Sequence, residues 1–162
     1  METDNELYGI FKLINDTEYN IFDLASIFWD DDEVSSLKQV ESWPDLIKVD
    51  VQNVGDSGIG YLLSFMDGNM SFAYLPAWLY FARRNPHPFA NIVMSLIAVL
   101  DPDLQIEDIE KERFQCLKSD LNEEQKLFIA DTLSLIAKRD FKSGTEFFER
   151  VRHLAEVWRG LV

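Results

Sequence analysis

The chain has 162 residues, 47% of them hydrophobic, with 12 Phe, 5 Tyr and 4 Trp against 7 Gly and 5 Pro. That length suits one domain, residues 1–162, which buries roughly two thirds of its unfolded surface without a disulfide or metal staple, and many aromatics with few turn residues argue against a β-sandwich. The formal net charge of −14 argues against nucleic acid and against anionic membranes as partners, since both are held by clustered Lys and Arg.

The single cysteine, Cys116, leaves no internal disulfide and fits a reducing compartment. The start, METDNELYGIFK, is acidic where a signal peptide is basic and lacks an apolar core, so a cytoplasmic location is expected. Membrane insertion fails on length. The uncharged run Gly68–Ala82 has 15 residues, short of the ~18–20 that a span needs. The next run, residues 85–100, is broken early by Pro86, His87 and Pro88.

In chain order, Glu6–Leu13 is expected as a first helix, with Leu7, Ile10, Phe11 and Ile14 on one face. Asp16 or Thr17 then caps a second helix, carrying Tyr19, Ile21, Phe22, Leu24, Ala25, Ile27 and Phe28. It stops by Trp29, because the acids Asp30–Glu33 at its C-terminus oppose the helix dipole. Ser42-Trp43-Pro44-Asp45 has an N-cap followed by Pro in the first turn of a short helix. Residues 53–60 (NVGDSGIG) form a loop, followed by a short helix, Tyr61–Met66, and a turn at Asp67-Gly68-Asn69.

Pro76 lacks an N–H and suits a first helical turn, not a helix interior. A helix is therefore expected from Leu75 to Arg84, apolar on nearly every side and so buried on nearly every side. Pro88 opens the next, Phe89 to Val99 or Leu100, and the two make a buried central hairpin. Residues 101–111 read as a polar connection, and Arg113–Leu117 is too short to assign to strand or helix. Asn122-Glu123-Glu124-Gln125 has the form of a capping box. The helix it opens runs to about Arg139, with a stripe of Phe128, Ile129, Thr132, Leu133 and Ile136. Ser143-Gly144-Thr145-Glu146 suggests a second box ahead of a final helix bearing Phe147, Phe148, Val151, Leu154, Ala155, Trp158 and Leu161. The fold class is therefore all-α, a single-domain helical bundle.

Chemistry-bearing patterns are sparse. Cys116 with His87 or His153 satisfies no spacing rule for a thiol–imidazole pair, and a lone Cys in RFQCL reads as core. Glu146, Glu149, His153 and Glu156 lie along one side of the last helix. Arg150, Arg152 and Arg159 surround them, which favours a solvated, ion-paired face over a metal site. GDSGIG, residues 55–60, lacks the lysine of a phosphate-binding loop. Asp30–Glu33 lacks the alternation and Gly turn of a calcium loop. No catalytic residue, metal ligand or cofactor is expected, and the chain reads as a binding protein, not an enzyme.

The charge is lopsided. Residues 1–57 hold 14 Asp and Glu against three Lys, a balance of −11, and the remaining 105 residues hold 15 acids against 12 bases, a balance of −3. A negative field accelerates encounter with a positive partner.

The landmarks also come in a suggestive order. Trp43-Pro44 precedes Phe72 and Tyr74-Leu75-Pro76-Ala77; an uncharged helix follows, then Arg113-Phe114 with Leu117, then Glu124-Gln125 opening a helix. Over roughly residues 40–140 this resembles a family of small acidic bacterial cytosolic proteins of unassigned function that carry an aromatic-Leu-Pro-Ala motif. Its members resemble the immunity proteins encoded beside secreted toxins. The resemblance brings no catalytic residues and implies a toxin inhibitor whose partner is a cognate protein toxin with a basic surface. Asp23, Trp29, Asp30, Asp31, Asp32, Glu33, Glu41 and Trp43 are the expected contact residues, with the two Trp as exposed aromatic anchors. Two alternatives remain in view: a regulatory or adaptor module with an endogenous partner, for which a homodimer is one form, and an enzyme of unknown type with a polar pocket around His87 or His153.

Overall fold

The structure, a computed structural model, describes residues 2–12, 20–49, 58–84 and 91–162. The α-helices are α1 (Glu2–Ile10), α2 (Ile21–Ser26), α3 (Trp43–Leu46), α4 (Gly68–Arg84), α5 (Asn91–Leu100), α6 (Asp108–Asp120), α7 (Glu123–Asp140) and α8 (Glu146–Gly160). Short 3₁₀ helices cover Ser35–Leu37, Gly58–Phe65 and Pro102–Leu104. No strand occurs among the described residues, and the chain is an all-α bundle.

Helix α4 is the axis. It packs against α1, α3, α5, α6, α7 and the 3₁₀ helix Gly58–Phe65, while α7 and α8 form a tight pair at one side. Being surrounded explains its composition: Leu75, Ala77, Trp78, Leu79, Phe81 and Ala82 are all fully buried. The expected boundary is corrected here. The helix begins seven residues before Leu75, at Gly68, and carries Pro76 in its interior. The expected turn at Asp67 is its cap, with Asp67 Oδ1 accepting from the Met70 N–H at 2.8 Å. An interior proline costs about 3 kcal/mol and leaves the carbonyl four residues back, on Phe72, without its helical donor. Burying one large apolar side chain returns ~1.5–3 kcal/mol, and the turns ahead of Pro76 bury Met70, Ala73 and Tyr74. Packing therefore outweighs the local penalty.

Three indoles fasten connections to this core. Trp78 Nε1–H donates to the Gly60 carbonyl (3.0 Å), Trp158 Nε1–H to Leu100 (2.8 Å) and Trp43 Nε1–H to Lys12 (3.4 Å). Each fully buried ring thus spends its one polar group on a helix end or linker. The 3₁₀ helix lies so close to α5 that a Cβ on Gly60 would fall 2.9 Å from Asn91 Cβ and 3.0 Å from the Ile92 nitrogen.

Arginines stitch the periphery. Arg139 donates to the carbonyls of Ala82 and Arg83 at the C-terminus of α4 and is itself gripped by Asp140 at 2.6 Å; cations suit helix C-termini. Arg150 pairs with the buried Asp101 at 3.1 Å, tying α8 to the α5 exit. Buried Arg113 on α6 donates to the carbonyls of Ser64 (2.7 Å) and Met66 (3.4 Å) and to Gln105 Oε1 (3.3 Å). Burial pulls the Arg113 guanidinium below the usual arginine range, against the opposing charge of Glu110. The RFQCL segment thus lies wholly within helix α6.

The capping box at Asn122 is present in both directions, at 2.8 and 2.9 Å, and the stripe Phe128, Ile129, Thr132, Leu133, Ile136 is buried. The second box is corrected: Thr145, not Ser143, caps α8, its Oγ1 accepting from the Phe148 N–H at 3.3 Å. Gly144 ahead of it has φ +86°, a left-handed turn that glycine adopts without strain. The second helix is shorter than expected. Asn20 caps it, accepting from the Asp23 N–H, and it ends at Ser26. The expected caps Asp16 and Thr17, most of the 53–60 loop, and Pro86-His87-Pro88 lie outside the described residues.

Candidate functional site

Asp30–Glu33 form an exposed turn, separated from the end of α2 by three residues. Glu33 Oε2 accepts from the Asp30 N–H at 3.3 Å and closes the turn. The other acidic side chains, on Asp30, Asp31 and Asp32, face solvent. Asp23 is exposed one helical turn before Ile27, so the two share a side of α2.

The turn borders an apolar surface. Ile27 is 73% exposed, Phe28 46% and Phe65 49%. The rings of Phe28 and Phe65 stack with centroids 4.4 Å apart, joining the end of α2 to the end of the 3₁₀ helix Gly58–Phe65. Trp29, half-buried, leans on Phe28 at 5.7 Å and on the core beneath. Ile27 and Phe28 are expected from sequence within a longer second helix that stops by Trp29. Ile27, the helical C-cap of α2, continues the exposed side that Asp23 starts, and Phe28 lies in the turn beyond it.

The structure thus groups Asp23, Trp29, Asp30, Asp31, Asp32 and Glu33. Glu41 is exposed, but its backbone N–H is held by Asp45 Oδ2 at 3.1 Å in the α3 cap. Trp43 is a correction. It is 1% exposed, with its ring against Tyr8 at 5.0 Å, so it is core and offers no anchor. Its place at the start of α3 faces it inward, toward α1 and α4. Sequence reasoning missed Ile27, Phe28 and Phe65 as surface residues. The available signal was the four-acid run that follows them, which marks solvent-exposed chain just past Ile27 and Phe28.

The remaining chemistry-bearing residues are occupied or apart. Cys116 is half-buried on α6, not core, with its thiol donating to Asp120 Oδ2 at 3.2 Å. Burial first, then the hydrogen bond and charge of Asp120, push that thiol up to about 11, so it stays protonated and weakly nucleophilic. The close crossing of α4 over α6 accounts for its position, since a Cβ on Gly68 would sit 2.7 Å from Cys116 Cβ. On α8, Arg152 bridges Glu149 (2.8 Å) and Glu156 (3.0 Å) across an exposed face, and His153 is exposed beside them. His87 lies outside the described residues. Among the described residues, no group of three or more His, Cys, Asp or Glu is placed to hold a metal ion. No helix there is long and apolar enough to cross a membrane.

One cavity of about 520 Å³ opens beside Phe72 and Pro76, between the end of α1 and the start of α7. Its polar wall is largely committed: Asn122 and Gln125 bond each other's backbone, and Gln125 Nε2 donates to the Ile10 carbonyl at 3.1 Å.

No protein-family model, curated protein or solved structure was found to match this chain.

Proposed function

We propose that the chain is a stoichiometric inhibitor of the immunity type, which neutralises a cognate bacterial toxin in the cytoplasm by covering a basic active-site cleft. The exposed acidic turn Asp30–Glu33 carries the reading. Four consecutive carboxylates on an exposed, self-closed turn concentrate negative potential at one place on an already acidic molecule. Such a place steers association with a positive surface and opposes wrong partners. A toxin that acts on nucleic acid or nucleotides has the positive cleft that the turn fits. The resemblance carried by Tyr74-Leu75-Pro76-Ala77 supports the same reading, and those motif residues act structurally, inside α4.

The test is co-expression with the product of the neighbouring gene, scoring survival and co-purification. Protection by the wild type and its loss in Asp30/Asp31/Asp32→Lys is the expected result. Full protection by the charge-reversed variant rejects the acidic turn as the working surface.

A further inference from the structure

We infer that the Phe28–Phe65 ring pair, with Ile27, is the apolar centre of the docking surface, and that its occupant is a protein segment presenting an apolar side chain flanked by Lys or Arg. This rests on the reading of the chain as a binder of a basic partner. Large apolar side chains exposed together, with a charged rim, mark interaction sites. Aromatic anchors at the centre and charges at the edge are the usual anatomy of an interface.

The surface is built in advance. Its two rings come from segments 37 residues apart in sequence and stack at 4.4 Å. Phe28 further rests on Trp29, which is itself packed on the core. Little conformational freedom is left to lose when a partner arrives. Charge selects the occupant. Residues 20–49 hold seven acids (Asp23, Asp30, Asp31, Asp32, Glu33, Glu41, Asp45) against Lys38 and Lys48, a balance of −5. Of the two lysines, Lys38 lies over the Phe22 ring at 5.6 Å. A second copy of this chain would bring two such rims face to face, and like charges so placed oppose association. A basic segment gains at both zones, its apolar residue on the rings and its cations against the carboxylates. A guanidinium can also stack on the exposed ring faces.

A random-peptide display library, panned against the wild-type chain and against Phe28→Ser/Phe65→Ser, tests this. Enriched peptides are expected to combine an apolar residue with neighbouring Lys or Arg. Their affinity should drop at least ~30-fold in the double variant, as for interface anchors. Asp30→Asn/Asp31→Asn/Asp32→Asn should slow association about tenfold at low salt, a difference that fades at high salt. Ile27→Ser, at the most exposed position, is a second probe if the double variant melts early. Enrichment of acidic or neutral peptides, equal binding to the ring variants, absence of enrichment, or sedimentation of the wild type as a dimer through this face each overturns the inference. In the cellular assay, protection that survives Phe28→Ser/Phe65→Ser but not charge reversal sinks this inference alone. Protection that survives both rejects the acidic turn as well, and no protection by the wild type sinks the inhibitor reading itself.

Discussion

Replacing Arg113 with Met should destabilise the fold by about 2–3 kcal/mol, and the figure follows from its surroundings. The residue is 4% exposed, and its guanidinium holds the Ser64 carbonyl at 2.7 Å. Its bonds to Met66 and Gln105, at 3.4 and 3.3 Å, are longer and weaker. A hydrogen bond involving a charged group contributes about 1.5–3 kcal/mol, so the short bond and the two long ones together are worth ~3–5 kcal/mol. Methionine fills a similar length and removes the burial of a charge, which returns part of that. Gln105 would keep its own bonds to the Ala98 and Asp101 carbonyls, at 2.7 and 2.6 Å, so the loss centres on the 3₁₀ helix Gly58–Phe65. For a chain of this length, 2–3 kcal/mol lowers Tm by ~5–10 °C. Urea melts should show a lower midpoint at an unchanged slope. Arg113→Lys should rescue less than half, because an ammonium cannot span the three acceptors. A midpoint unmoved in Arg113→Met would refute the reasoning, by showing that the cost of burying the guanidinium cancels its bonds.

Trp78→Phe leaves the Gly60 carbonyl without its 3.0 Å donor, and a loss of ~1–3 kcal/mol is expected in chemical denaturation. Gly60→Ala forces a Cβ to 3.0 Å from the Ile92 backbone nitrogen; that overpacking should cost ~1–3 kcal/mol, measurable in the same assay. Stability should also fall in alkali. Burial first, then Asp45, pushes the Tyr74 hydroxyl from its ordinary 10 to about 12, and Cys116 stands near 11 against an ordinary 9. Both groups hold their protons more tightly when folded, so their contribution is intact below pH 9 and is lost as pH rises from 9 to 12. Thermal melts across that range check it, and Tyr74→Phe should flatten the upper part. Thiol alkylation at pH 8 should be slow in the native state and faster in Asp120→Asn, where the raising charge is gone.

Much of the site was legible because its signals are local. The run Asp30–Glu33 sets an outer limit for the second helix, by unfavourable charge at a helix end, and α2 stops inside that limit, at Ser26. The same short-range rule predicted solvent exposure for the acids. Trp43 was expected as an exposed anchor and is core, whereas Phe28, expected only as part of the second helix, is on the surface. Both are large aromatics near polar neighbours, and only the path of the chain decides which of them meets α4 and which meets water.

By itself the sequence determined the helical class, the capping box at Asn122, the buried stripe of α7 and the acidic edge. Each depends on groups within a turn or two of one another, where hydrogen-bond geometry and helical period act directly. The tertiary structure alone decided that α4 runs through Pro76, that RFQCL joins a helix, and that Phe28 finds Phe65. A proline's penalty of a few kcal/mol is a local quantity, whereas the burial that outweighs it comes from six other elements closing around one helix. That sum does not exist until the chain has folded.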